Sequence, residues 1–189
     1  MSPISLVKLP LSSSEGWPDL IQRRPGMLKV FGLLVLPLSL LPPAMLYFAG
    51  THHPEVFLAA GVERNWFGVA VVFFLAEMVT LLGMGWLIRQ VAATNSFAID
   101  YHDAYLLAGI APIPMWLSSL GLLVPDLTFN VLFSMFATAL SCALIYQGVQ
   151  ALGRRHDEVI AAGIVQTVIG AGLMAWALLL VLAFASVSI

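Results

Sequence analysis

WFGVAVVFFLAEMVTLLGMGWLI, residues 66–88, decides the fold. Its length matches the ~20 apolar residues needed to cross ~30 Å of hydrocarbon. Its single charged residue, Glu77, stands at the midpoint. Four further stretches of the same kind occupy residues 28–49, 104–124, 127–149 and 159–186. The reading is an all-α, polytopic membrane protein. A bundle of five transmembrane helices fills residues 28–189, after a cytoplasmic or interfacial segment over residues 1–27.

Composition agrees. Of 189 residues, 60% are apolar and 10% charged, against about a quarter charged in ordinary globular chains. The net charge of −2 leaves no basic patch, so nucleic acid is not expected as a partner. The lone Cys142 permits neither an intramolecular disulfide nor a cysteine metal cluster. Residues 1–27 hold Lys8, Glu15, Asp19, Arg23 and Arg24, with no continuous apolar core of a cleavable signal. The first long stretch is therefore expected to act as an uncleaved anchor.

Basic residues predict the orientation. With the N-terminus in the cytoplasm, Lys8, Arg23, Arg24, Lys29, Arg89, Arg154 and Arg155 lie inside and Arg64 alone lies outside. That is a strong positive-inside bias, with the C-terminus exported.

Prolines make the stretches unequal. Pro37, Pro42 and Pro43 predict a kink or restart near Leu41. Pro112 and Pro114 predict a broken or re-entrant third helix. Pro125-Asp126 predicts a tight turn into the fourth. There Asn130, Ser134, Thr138 and Ser141 form a small-polar stripe, expected to pack helix against helix. Gly163, Thr167, Ala171 and Ala175 form a second such stripe. Near the N-terminus, GWPDLIQRRP (16–25) predicts a short interfacial helix, with Trp17, Leu20 and Ile21 toward lipid.

Three segments together resemble the Yip family of small membrane proteins. They are DLIQRRPGMLKVFGLLVLPLSLLPPAMLYFAG (19–50), AYLLAGIAPIPMWLSSLGLLVP (104–125) and IYQGVQAL (145–152). The proline-bearing first helix, Ala111-x-x-Pro114, the closing Pro125 and Tyr146-x-Gly148 look like the bacterial branch, over roughly 17–186. The resemblance implies five helices, a cytoplasmic N-terminus and an exported C-terminus in a bacterial inner membrane. Eukaryotic members bind Rab-type GTPases and have a longer cytosolic N-terminal region with an acidic-aromatic motif used in trafficking. That motif has no equivalent here, so Rab binding and vesicle traffic do not carry over.

Glu77 is the sharpest candidate for chemistry. A carboxyl at mid-bilayer costs ~2.5–3.5 kcal/mol on insertion scales and calls for an explanation. One reading makes it a proton or cation site, with Thr80 and Met84 on its face. The other makes it a donor to a backbone carbonyl freed by Pro37, Pro42, Pro112 or Pro114. The Pro112–Pro114 break lines a substrate cavity in the first reading and is a packing kink in the second. Tyr146 is the remaining candidate. Asp100, His102 and Asp103 read as a solvated helix cap rather than a cation site, and His52, His53 and Glu55 likewise. No metal or other cofactor is expected. No nucleophile elbow, zincin, P-loop or dinucleotide motif is present, so an enzyme is not expected. The leading expectation is a membrane adaptor or organiser, in contact with the bilayer and with a membrane-protein partner or a second copy. The alternative is a small transporter or channel using Glu77 and the Pro112–Pro114 break.

Overall fold

The computed structural model describes residues 16–57, 64–97, 99–153 and 158–184. Lys8, Arg154, Arg155 and Asp157 lie outside them. A short helix α1 (Gly16–Arg23) precedes five helices long and apolar enough to span a membrane: α2 (Met27–His52), α3 (Trp66–Thr94), α4 (Tyr101–Leu123), α5 (Leu127–Leu152) and α6 (Glu158–Phe184). No strand occurs among the described residues. Only helices satisfy their own backbone in hydrocarbon, and this chain follows that rule.

Local chemistry places the ends. Asn65, Asp100 and Asp126 cap α3, α4 and α5, each side-chain oxygen accepting a backbone N–H three residues on. The end of α3 is a Schellman turn: Ser96 takes φ 54°, and the Phe97 N–H reaches back to the Ala92 carbonyl at 2.9 Å. The prolines act as expected. In α2 a π-helical turn (Phe31–Val35) and a break at Leu40 precede the regular run from Leu41. In α4 the α-helix stops at Ile110, restarts at Ile113 and tightens to 3-10 over Ser119–Leu123. The segment is broken, and its pieces together make one span of 23 residues, long and apolar enough to cross a membrane.

The hub is α3, which packs against α2, α4 and α6, while α5 packs on α4 and α6. The core is lopsided. Its main cluster joins Leu20, Ile88, Leu107, Ile110, Val149 and Ile164 at the end of the bundle that carries α1, hereafter the N-terminal face. Arg64 and Trp66 lie at the opposite face, where the Arg64 guanidinium bonds the Ala183 carbonyl at 2.8 Å.

One expectation fails here. Trp17 and Leu20 do not face lipid; they are buried, with Trp17 fully enclosed. The reason is a seat in the bundle that lipid cannot match. Gly148 of α5 leaves the space that the Trp17 ring fills: a Cβ there would come within 2.6 Å of Leu107 Cδ1 and 2.8 Å of Trp17 Cζ2. Salt bridges from Arg24, described below, hold the far end of α1. Gly148→Ala should therefore destabilise the bundle by about 1–3 kcal/mol through overpacking. Gly163→Ala, which adds a Cβ with nothing within 4 Å, should be near neutral. Unfolding in mixed micelles measures both.

Candidate functional site

Glu77 lies in the middle of α3 and is 6% exposed. Its Oε1 accepts a hydrogen bond from the Trp116 indole N–H. Its Oε2 is buried without a hydrogen-bonding group opposite it. The break in α4 brings Trp116 there. Pro112 and Pro114 cannot donate to the carbonyls of Ala108 and Ile110, so the helix cannot run through. The short helix Ile113–Ser118 that restarts carries Trp116 to the carboxyl. Sequence reasoning paired Glu77 with a proline-freed carbonyl, and the structure corrects this. The donor is an indole N–H, a group that gains by finding an acceptor in an apolar interior. A tryptophan deep in a proline-broken span was the signal for it.

Beside this pair lies a cavity of about 430 Å³, within the ~300–1,000 Å³ range of small-molecule sites. Glu77, Thr80 and Met84 contribute from α3, and Pro112, Met115 and Trp116 from α4. The cavity follows α5 from Ile145 to Leu127 and α6 from Val168 to Ala183. These two helices are joined at the N-terminal face. The cavity thus begins above the packed core and extends toward the opposite face, over roughly 27 Å of α5 at 1.5 Å per residue.

Asn130, Ser134, Thr138 and Ser141 all line it. The stripe packs in part against α4, as expected, with Thr138 on Met115 and Asn130 beside Gly121, and in part borders the open volume. Most of its polar atoms bond locally. Thr138 Oγ1 donates to the Ser134 carbonyl at 2.8 Å and meets Met115 Sδ at 3.2 Å. The Asn130 amide donates to the carbonyls of Val124 and Asp126 at 2.9 and 2.8 Å. Ser141 Oγ, on a residue 9% exposed, has no hydrogen-bonding group opposite it. Half of the α6 stripe is corrected. Gly163 and Thr167 are exposed, whereas Ala171 and Ala175 are half-buried and Ala175 lines the cavity; the buried face at this end is Ala161, Ile164, Val165 and Val168. Branched side chains fill the interhelical groove with more dispersion contacts than glycine or threonine offer.

Three of the five sequence candidates, Glu77, Thr80 and Pro112, therefore meet at one cavity. Pro114 and Tyr146 are not among its lining residues. Pro114 is half-buried, and Tyr146 is exposed on α5. Their place in the structure is the α4 break and the bundle surface.

The Asp100, His102 and Asp103 ligand atoms lie within 4.8 Å of one another at the N-terminal face. They are engaged as a cap and latch. Asp100 Oδ1 accepts the Asp103 N–H at 2.9 Å, and its Oδ2 pairs with Arg24. Asp103 Oδ2 lies 3.7 Å from the same guanidinium, and His102 Nε2 donates to the Pro25 carbonyl at 2.9 Å. α1 is thereby tied to the start of α4. The Asp103 backbone N–H, followed by Arg24, holds the Asp100 carboxyl below the usual carboxylate range. His53 and Glu55 form only a 3.8 Å contact, and His52 stacks on Phe48.

The model of the Yip1 domain family matches residues 7–186 of the chain. No curated protein sequence and no solved structure matches it.

The latch has a defined pH dependence. A carboxyl whose pKa is lower in the folded state stabilises fully above its unfolded value of ~3.9 and loses that contribution as pH falls below it. Acidification below about pH 4 should release α1, read as faster amide exchange over residues 16–23. Asp100→Asn keeps a cap acceptor but removes the charge. It should speed that exchange at neutral pH and flatten the acid step.

Proposed function

The chain belongs to the Yip1 domain family, and from that premise we propose that it is a non-enzymatic carrier that takes a solute into the bundle beside Glu77. The observation that supports this is the position of Glu77 on the wall of the 430 Å³ cavity, with Oε2 unengaged. A carboxyl in an apolar cavity needs a compensating proton, cation or donor. Trp116 supplies one donor to Oε1 and leaves the second oxygen for the solute or its counter-ion. Discontinuous helices that line a cavity are a recurring way to place such a site at membrane depth. The α4 break at Pro112 supplies that element here.

The orientation follows the basic residues. The N-terminal face, with Arg24, Lys29 and Arg89, is cytoplasmic in a bacterial inner membrane, and the cavity extends toward the exported side. The packed core around Leu107, Val149 and Ile164 then closes the cytoplasmic end. A second reading, the adaptor, draws on the Glu77–Trp116 bond, because a carboxyl satisfied within the protein serves as an interhelical tie. The cavity favours the carrier, since a tie needs no open volume beside it.

Wild type and Glu77→Gln, reconstituted into vesicles, should differ in proton and cation flux. Wild type should exceed protein-free vesicles, and the variant should fall to their background. Background flux in both would overturn the carrier and leave the adaptor. A fusion at the C-terminus should report the exported side; a reporter active only in the cytoplasm would reverse the orientation.

A further inference from the structure

The cavity's walls specify a class of solute. From them we infer that it binds a single-chain amphiphile with an amine headgroup, the ammonium on Glu77 and the chain along the cleft between α5 and α6. This rests on the carrier reading above, that the cavity holds a solute.

Polar recognition is concentrated at two atoms. Glu77 Oε2 and Ser141 Oγ are buried, lack hydrogen-bonding groups opposite them and belong to residues that line the cavity. Among the described lining residues Glu77 is the one acid, and no Lys, Arg or His joins it. A carboxylate or phosphate headgroup would thus face a carboxyl with no cation to offset it. An ammonium supplies both the charge and the hydrogen bonds that Oε2 lacks, and Ser141 can accept a further one.

Most of the rest of the wall is apolar, and the Ser118, Ser119, Asn130 and Thr138 side chains that also line it donate to backbone carbonyls. The apolar part contributes Phe73, Met84, Leu122, Trp176 and Leu179, side chains suited to a hydrocarbon chain and offering it no hydrogen bond. The opening lies on the flank of the bundle. Val131, Met135 and Leu173 line the cavity and are also exposed, Met135 by 63%. A molecule reaches the cleft from between the lipid chains, where amphiphiles already reside. A volume of about 430 Å³ stands near the lower end of small-molecule sites and suits one chain rather than two.

The test uses the full chain in vesicles of neutral lipid. Three photoreactive probes share one long alkyl chain and end in an amine, an alcohol or a carboxylic acid. Labelled residues are mapped by mass spectrometry. The amine should label the α5–α6 cleft at least about tenfold more than the acid, as a charge-assisted bond implies. The alcohol should fall between them. Glu77→Gln should lower the amine to the alcohol's level and leave the alcohol unchanged, which also reports an intact cavity. Equal labelling by acid and amine, or label spread over the whole lipid-facing surface, would overturn the assignment. If Glu77→Gln loses the alcohol as well, Ala175→Phe decides, because it fills the opposite wall with Glu77 retained. Amine label persisting in that variant's cleft would refute the site, and its loss would support it. Flux that depends on Glu77 without amine labelling sinks the amine assignment alone. Amine labelling without flux sinks the carrier alone.

Discussion

In hydrocarbon no water competes for the backbone, so each N–H and C=O must find its bond within the protein. For most of this chain the regular helix meets that demand. In α2 and α4 the prolines prevent it, and the structure answers with local devices. These are a π-helical turn and a restart in α2, and a two-residue gap and a 3-10 end in α4. Such devices also redirect side chains. The restart after Pro112 is what places the Trp116 indole on Glu77, joining α3 to α4 by a bond between two groups that lipid would leave unsatisfied.

That bond sits at the boundary between two halves of unlike character. Toward the N-terminal face, Ile88, Leu107, Val149 and Ile164 close-pack, and α1 adds Trp17 in the space left by Gly148. Arg24 ties α1 down through Asp100 and Asp103. Toward the other face, α5 and α6 flank a cavity. A carboxyl at the junction accepts one bond at Oε1 and has no hydrogen-bonding group opposite Oε2. Packing provides a closed end, the break provides the polar group, and the splayed half provides volume.

The small-residue stripes show how far pattern reasoning reaches. Asn130, Ser134, Thr138 and Ser141 do share one face of α5, as their spacing requires. The spacing is silent on what lies across from that face, and a stripe over a cavity has the same period as a stripe over a helix. On α6, Gly163 and Thr167 share a face that the bundle leaves exposed. Trp17 and its neighbours likewise present one apolar side, and helical period cannot distinguish lipid from protein as its cover.

By itself, the sequence determined the five spans, the helix cap at Asp100, the tight turn at Pro125-Asp126, the breaks near Leu41 and at Pro112–Pro114, and Glu77 at the middle of its span. Each follows from forces acting within a few residues: hydropathy over a span, a side-chain oxygen three residues from an amide, a ring without an N–H. Only the tertiary structure decided that Trp116 is the donor to Glu77, that Trp17 is enclosed and that Thr80 shares a cavity with Ser141. Those facts depend on how far apart helices distant in sequence stand. That separation is set by the fit of Trp17 over Gly148, of α3 against α4 and of α6 on α3, none of which has a local signature in the chain.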